Sequence, residues 1–154
     1  MIARSIPKRQ SQASNFAALV RYISNAHGKE ERVWVITITN SPAETAAELA
    51  QAVVLTQLQN GRAKSDKTYH LLLSFPAGER PSPQVLAQIE QRMCDALGFG
   101  EHQRISAVHH DTDDLHVHVA INKIHPTRLT IRDPKGDFRI MARTCLVLLR
   151  QDVY

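Results

Sequence analysis

The sequence predicts an α+β fold, a mainly antiparallel central sheet with flanking helices. Three observations carry this. Segments with the period-two alternation of half-buried strands interleave with helical stretches. Turn residues separate them at short spacing. The order, after an N-terminal helix, reads β-α-β-α-β-β, which ends on two adjacent strands and argues for helices packed on one face of the sheet. At 154 residues and 43% hydrophobic content the chain is one domain (1–154), with enough apolar residues for a core.

Ser14 or Asn15 caps a helix from Phe16 to about Asn25, whose Phe16, Leu19, Val20 and Ile23 form an apolar stripe. Val33 to Thr39 is rich in β-branched residues and reads as a strand. Ser41-Pro42 opens a helix over Ala43 to about Gln59, followed by a polar basic loop, 60–67. Tyr69 to Phe75 is a strand: Tyr69, Leu71, Leu73 and Phe75 make one apolar face, and His70 and Ser74 lie on the other. A helix over Pro83 to Leu97 stops at Gly98. A histidine-rich hairpin follows, then a short strand near Leu129 to Ile131 and a final helix containing Ile140 to Leu149. That last segment is apolar on nearly every side, which predicts a further contact with additional sequence or a second chain.

The hairpin is the chemically informative segment. Leu115, Val117, Val119 and Ile121 alternate with His116, His118, Ala120 and Asn122, so His116 and His118 leave one face. Arg104 to His110 reads as the partner strand, and Asp111-Thr-Asp-Asp114 supplies turn chemistry. Either a two-residue turn or a four-residue loop pairs His110 with Leu115 and His109 with His116. Opposed residues share a face, so His109, His116 and His118 converge, and a one-residue slip would substitute His110. Three neutral imidazoles on one face need partners, and a divalent metal satisfies them together. By ligand type alone the ion is zinc-like.

A Lewis-acid centre needs a nucleophile from elsewhere. Of three tyrosines, Tyr69 is on a strand and Tyr154 is terminal, while Tyr22 flanks the apolar stripe of the first helix, where its hydroxyl can reach past the sheet. A phenol has a pKa near ~10 and needs a base or positive charge to attack at neutral pH; the metal, a histidine or the carboxylate of Asp111 are the candidates. Net charge is +4. Arg62, Lys64 and Lys67 crowd one loop and Arg128, Arg132, Lys135 and Arg139 follow the hairpin, as phosphate-backbone binding requires. Cys94 and Cys145 have no paired spacing and read as thiols of a cytoplasmic protein. No apolar run is long enough for a membrane span or a secretory signal.

Together, Tyr22, GRAKSDKTYHLLLSF, HxDTDDLHVHVAIN, EHQRISAVH and INKIHPTR resemble the conjugative relaxases with a His-hydrophobic-His core, and among these the IncP-like type. The likeness runs from Met1 to about Arg128. It implies site- and strand-specific nicking of single-stranded DNA at a bacterial origin of transfer. In the family the tyrosine matching Tyr22 becomes linked to a 5′ phosphate and frees a 3′ hydroxyl. The positions matching His109, His116 and His118 bind magnesium or manganese, the one matching Ser74 helps hold DNA, and the one matching Asp111 supports the histidines. The resemblance also implies accessory DNA-binding and coupling proteins as partners, and a chain that is the N-terminal part of a longer relaxase. The competing readings are a replication-initiator nickase of the same architecture, a non-catalytic metal-containing DNA-binding accessory protein, and a metal-dependent phosphodiesterase that uses water.

Overall fold

A computed structural model describes residues 1–7, 15–25, 32–110 and 113–151. The expectations placed on Ser14, Asp111 and Tyr154 lie outside these residues. In chain order the elements are β1 (Ile2–Ser5), α1 (Phe16–Ser24), β2 (Arg32–Thr39), α2 (Ala46–Leu58), β3 (Thr68–Phe75), α3 (Pro83–Leu97), β4 (Arg104–His110), β5 (Leu115–Asn122) and α4 (Asp137–Arg150). The five strands form one sheet in the order β1-β3-β5-β4-β2, with every neighbouring pair antiparallel.

The α+β class and antiparallel sheet agree with the sequence, but the helices cover both faces rather than one. On one side α3 and α4 bury Leu86, Ile89, Met93, Leu97, Met141 and Leu148 against Leu71, Leu73, Val117 and Val119. On the other, α1 and α2 bury Phe16, Val20, Ile23, Leu49 and Val53 against Ile105, Ala107 and Ala120. Each of the large apolar side chains on α1 contributes roughly 1.5–3 kcal/mol by leaving water. The polar positions of β3 and β5 mimic a solvent-facing side, which is why the second helical layer is hard to read. β1 also went unpredicted: four residues are too few for a periodicity signal, and the strand is held by pairing Ile2 to Ser74 through Ser5 to Leu71.

Local chemistry sets the helix limits. The Asn15 side chain accepts from Ala18 N, Thr45 from Glu48 N and Ser82 from Val85 N. Thr45 therefore starts α2 at Ala46, later than Ala43, because its hydroxyl accepts from the Glu48 amide, one of the free amides of the first turn. Gly98 ends α3 in the left-handed region, φ 85°. Residues 129–131 form no strand; a single bridge joins Ile124 to Ile131. α4 begins at Asp137 and leaves Phe138, Leu146 and Leu149 exposed.

Buried polar groups tie the layers. Arg104, the first residue of β4, donates to Glu90 of α3 at 2.7 Å and also to Gln91 and the Gly100 carbonyl. Asn122, at the end of β5, donates to Gln103 at 3.0 Å and accepts from Ile124 N and Gln57. These bonds fix the strands that carry the histidines.

Candidate active site

The β4–β5 hairpin has the expected register, His109 opposite His116 and His110 opposite Leu115. Ala107 stands opposite His118, so His109, His116 and His118 share the α1 side of the sheet. On the other flank of β5, Ser74 pairs with His116, Leu72 with His118 and His70 with Ala120. The adjacency of β3 and β5 thus brings His70 and Ser74 to the same face as the hairpin histidines.

The side chains interact in pairs. His70 Nε2 and His118 Nδ1 are 2.9 Å apart, and Ser74 Oγ lies 3.2 Å from His116 Nδ1. The ring centroids of His109 and His118 are 4.8 Å apart. His109 is fully buried, and its Nε2–H donates to the carbonyl of Ile23. That bond fastens the last turn of α1 to β4, one residue beyond Tyr22. Burial lowers the pKa of His70 to about 4, so its ring is neutral at pH 7. A neutral His70 can accept from His118 Nδ1–H, which leaves the ligating form of imidazole at His118 Nε2.

Tyr22 projects from α1 over this group. Its ring meets His70 edge-on at 6.3 Å and His118 at 6.2 Å between centroids, while the residue is 51% exposed. The ring rests on imidazoles and the side chain borders solvent, the placement expected from its flank position on the stripe. Tyr69 is on the opposite face. It packs with Leu71, Leu73 and Phe99, its hydroxyl donates to Asp137 at 2.7 Å, and burial raises its pKa above the usual phenol range.

The three hairpin histidines do not form a ready metal centre. Among the described residues, no group of three or more His, Cys, Asp or Glu side chains is arranged to hold an ion. The donor chemistry still fits one. All three imidazoles face the same side, and the Ser74 and His70 contacts are of the kind that orient ligating histidines. His109 would have to present Nδ1, or turn from the Ile23 carbonyl.

The basic residues of the loops before β3 and after β5 fall together at one end of the sheet. Arg62 and Lys64 are exposed in the loop before β3, and Arg128 is exposed in the loop after β5. Asn60 bridges the loops by donating to the Leu129 carbonyl at 2.7 Å. At ~3.4 Å per residue, Asn122 is about 14 Å along β5 from His118. The Lys67 ammonium is turned inward, donating to the carbonyls of Gln57 and Asn60. Asp111 lies outside the described residues. Sequence reasoning noted His70 on the correct face without assigning it a task; its signal was the even spacing with Leu72 and Ser74. It assigned nothing to Trp34.

Among the described residues no helix is long and apolar enough to cross a membrane. The family described as "Relaxase: MobA/VirD2-like, nuclease domain" matches residues 22–152, so the match begins at Tyr22. A protein TraI of Escherichia coli is 52% identical over 150 residues, covering 97% of this chain, and a second TraI of that species is 51% identical over the same share. A protein MobA of Acidithiobacillus ferrooxidans is 38% identical over 84 residues, 54% of this chain. The chain spans about a fifth of the length of each of these curated relatives, 20% in all three. With a match over most of its length, this chain belongs to the relaxase family, in its MobA/VirD2-like nuclease-domain branch.

Proposed function

We propose that this chain nicks and rejoins one strand of DNA at an origin of transfer, starting conjugative transfer, with Tyr22 as nucleophile. The Tyr22 oxygen attacks a backbone phosphorus. A tyrosyl O–P bond forms as the phenol gives up its proton, the P–O3′ bond breaks, and the departing 3′ oxygen takes up a proton to end as a hydroxyl, so no proton is gained or lost overall. One phosphodiester replaces another, so the 3′ hydroxyl can reverse the step. His109, His116 and His118 are the residues that would hold a divalent cation, magnesium or manganese on family precedent and zinc by ligand type. Such a cation would offset charge on the nonbridging oxygens of the scissile phosphate. Ser74 orients His116 and borders the DNA, Asp111 supports the histidine group, and Arg62, Lys64 and Arg128 take backbone phosphates, with Lys67 supporting the loop that carries the first two. Accessory DNA-binding and coupling proteins complete the transfer complex, in the cytoplasm of a bacterium.

The observation that carries this reading is the seat of Tyr22, its ring edge against both His70 and His118 on the imidazole-bearing face. Covalent capture tests it. Incubated with a single-stranded oligonucleotide bearing the nick region and a divalent ion, the protein is expected to gain a linked 5′ strand, and Tyr22→Phe to abolish the adduct. An adduct that persists in the variant would move the nucleophile elsewhere. A free 5′ phosphate with no linked strand would favour hydrolysis by water. Binding without cleavage by the unaltered protein would favour an accessory protein.

A further inference from the structure

β2 is an edge strand, and its pairing to β4 is irregular. Val33 pairs with His109 and Val35 with Val108, so Trp34 is the extra residue of a bulge. Bulges at sheet edges redirect a side chain and are common beside functional sites. Here the redirected side chain is the only tryptophan in the chain, and it is 52% exposed. It lines a cleft of about 470 Å3 together with Arg32, Arg80, Pro81 and His110. Among the described residues, two arginines and a histidine line that cleft and no carboxylate does.

We propose that this cleft binds an unpaired nucleotide of single-stranded DNA, with the base stacked on Trp34 and the flanking phosphates on Arg32 and Arg80. A half-exposed indole beside guanidinium groups is the combination that holds single strands without reading their sequence: the ring takes the base face and the cations take the backbone. The cleft is within the size range of small-ligand sites. Position supports the assignment. Val33, next to Trp34, is the cross-strand neighbour of His109. Two strand spacings, about 10 Å, separate β5 from β2 within the sheet. The cleft's His110 and Leu115 lie on the α3 side of the sheet, opposite the histidines, so a strand seated at Tyr22 reaches the bulge by passing round the β2 edge. This inference rests on the nicking reading above and adds a second point at which the substrate is held.

Because Trp34 is the sole tryptophan, its fluorescence reports on the cleft directly. The probe is a mixed-sequence single strand of about 20 nucleotides, end-labelled so that anisotropy gives total binding, with its duplex as control. The expected result is quenching of Trp34 that saturates with anisotropy for the single strand and is weaker for the duplex. Trp34→Ala should weaken binding about 10-fold, the range for loss of one stacked base, whereas Trp34→Phe should stay within about threefold. Arg32→Ala and Arg80→Ala should each reduce the salt slope of binding by about 0.7. Circular dichroism confirms that each variant is folded, and the phenylalanine and arginine variants carry the test if Trp34→Ala is not. Binding with unchanged Trp34 emission, or equal affinity in folded Trp34→Ala, overturns the subsite. If that happens while the Tyr22 adduct still forms on nick-region DNA, only the subsite falls. If the unaltered protein neither binds the single strand nor forms an adduct, the nicking reading falls and takes the subsite with it.

Discussion

Replacing Arg104 by alanine should be among the most damaging single changes in this protein, although the residue lies at the opposite end of β4 from His109. Its side chain is 2% exposed and that of Glu90 6%, with 2.7 Å between Nε and Oε1. Removing the guanidinium leaves a carboxyl group beneath α3 with neither its cation nor water, and strands the acceptors of Gln91 and Gly100. Breaking a buried pair from one side costs about 3–5 kcal/mol, against a total stability on the order of 5–15 kcal/mol. With a urea slope near ~2 kcal/mol/M, the unfolding midpoint should fall by about 1.5–2.5 M. The double variant Arg104→Met with Glu90→Leu removes both charges and keeps the volume, and it should recover most of that loss. Equilibrium urea unfolding followed by circular dichroism measures all three proteins. A single-variant loss below ~1 kcal/mol, or a double variant as unstable as the single, would refute the reasoning. The consequence reaches the site, since Arg104 begins the strand that carries Ala107 and His109.

Three other outcomes are expected. His70→Ala should weaken divalent-metal binding about 10- to 100-fold in calorimetry, because His118 loses the group that orients its ring; equal affinity would remove His70 from the site. Ala120→Leu should destabilise the fold by about 1–3 kcal/mol and depress adduct formation further, since Ala120 is fully buried beneath the α1 residues Phe16, Val20 and Ile23, and lifting α1 displaces Tyr22; stability lost with full adduct yield would contradict that coupling. Acidification should destabilise the metal-free protein. Burial lowers the folded pKa of His102 below its ordinary value and that of His70 to about 4, so the unfolded chain takes up their protons first. Their contribution is complete above pH ~6.5 and declines as pH falls from there toward ~4. His102→Gln should flatten the pH dependence of the urea midpoint, and an unchanged slope would exclude His102 as a source.

Much of the site was legible because hairpin geometry is local. Alternation along Leu115 to Asn122 assigns His116 and His118 to one face, and a connection of residues 111–114 leaves His109 opposite His116. Tyr22 was legible for the same reason, as a position flanking an apolar stripe only nine residues long. His70 needed more. Its alternation was plain, but its value depends on β3 lying beside β5, a pairing that joins positions 48 residues apart in the His70–His118 contact. The second helical layer was obscured because buried histidines and Ser74 carry the same letters as a wetted strand face.

The sequence by itself determined the elements, with β1 and the expected strand at 129–131 as the exceptions, the alternation of faces along each strand and the register of the histidine hairpin, because periodicity and turn length act over a few residues. Tertiary structure alone decided that β5 is central, that helices cover both sides, that His109 is spent on the Ile23 carbonyl and that a bulge turns Trp34 outward. Those outcomes come from competition among long-range packings and from the need to satisfy each buried polar atom, and neither is written in any short stretch of residues.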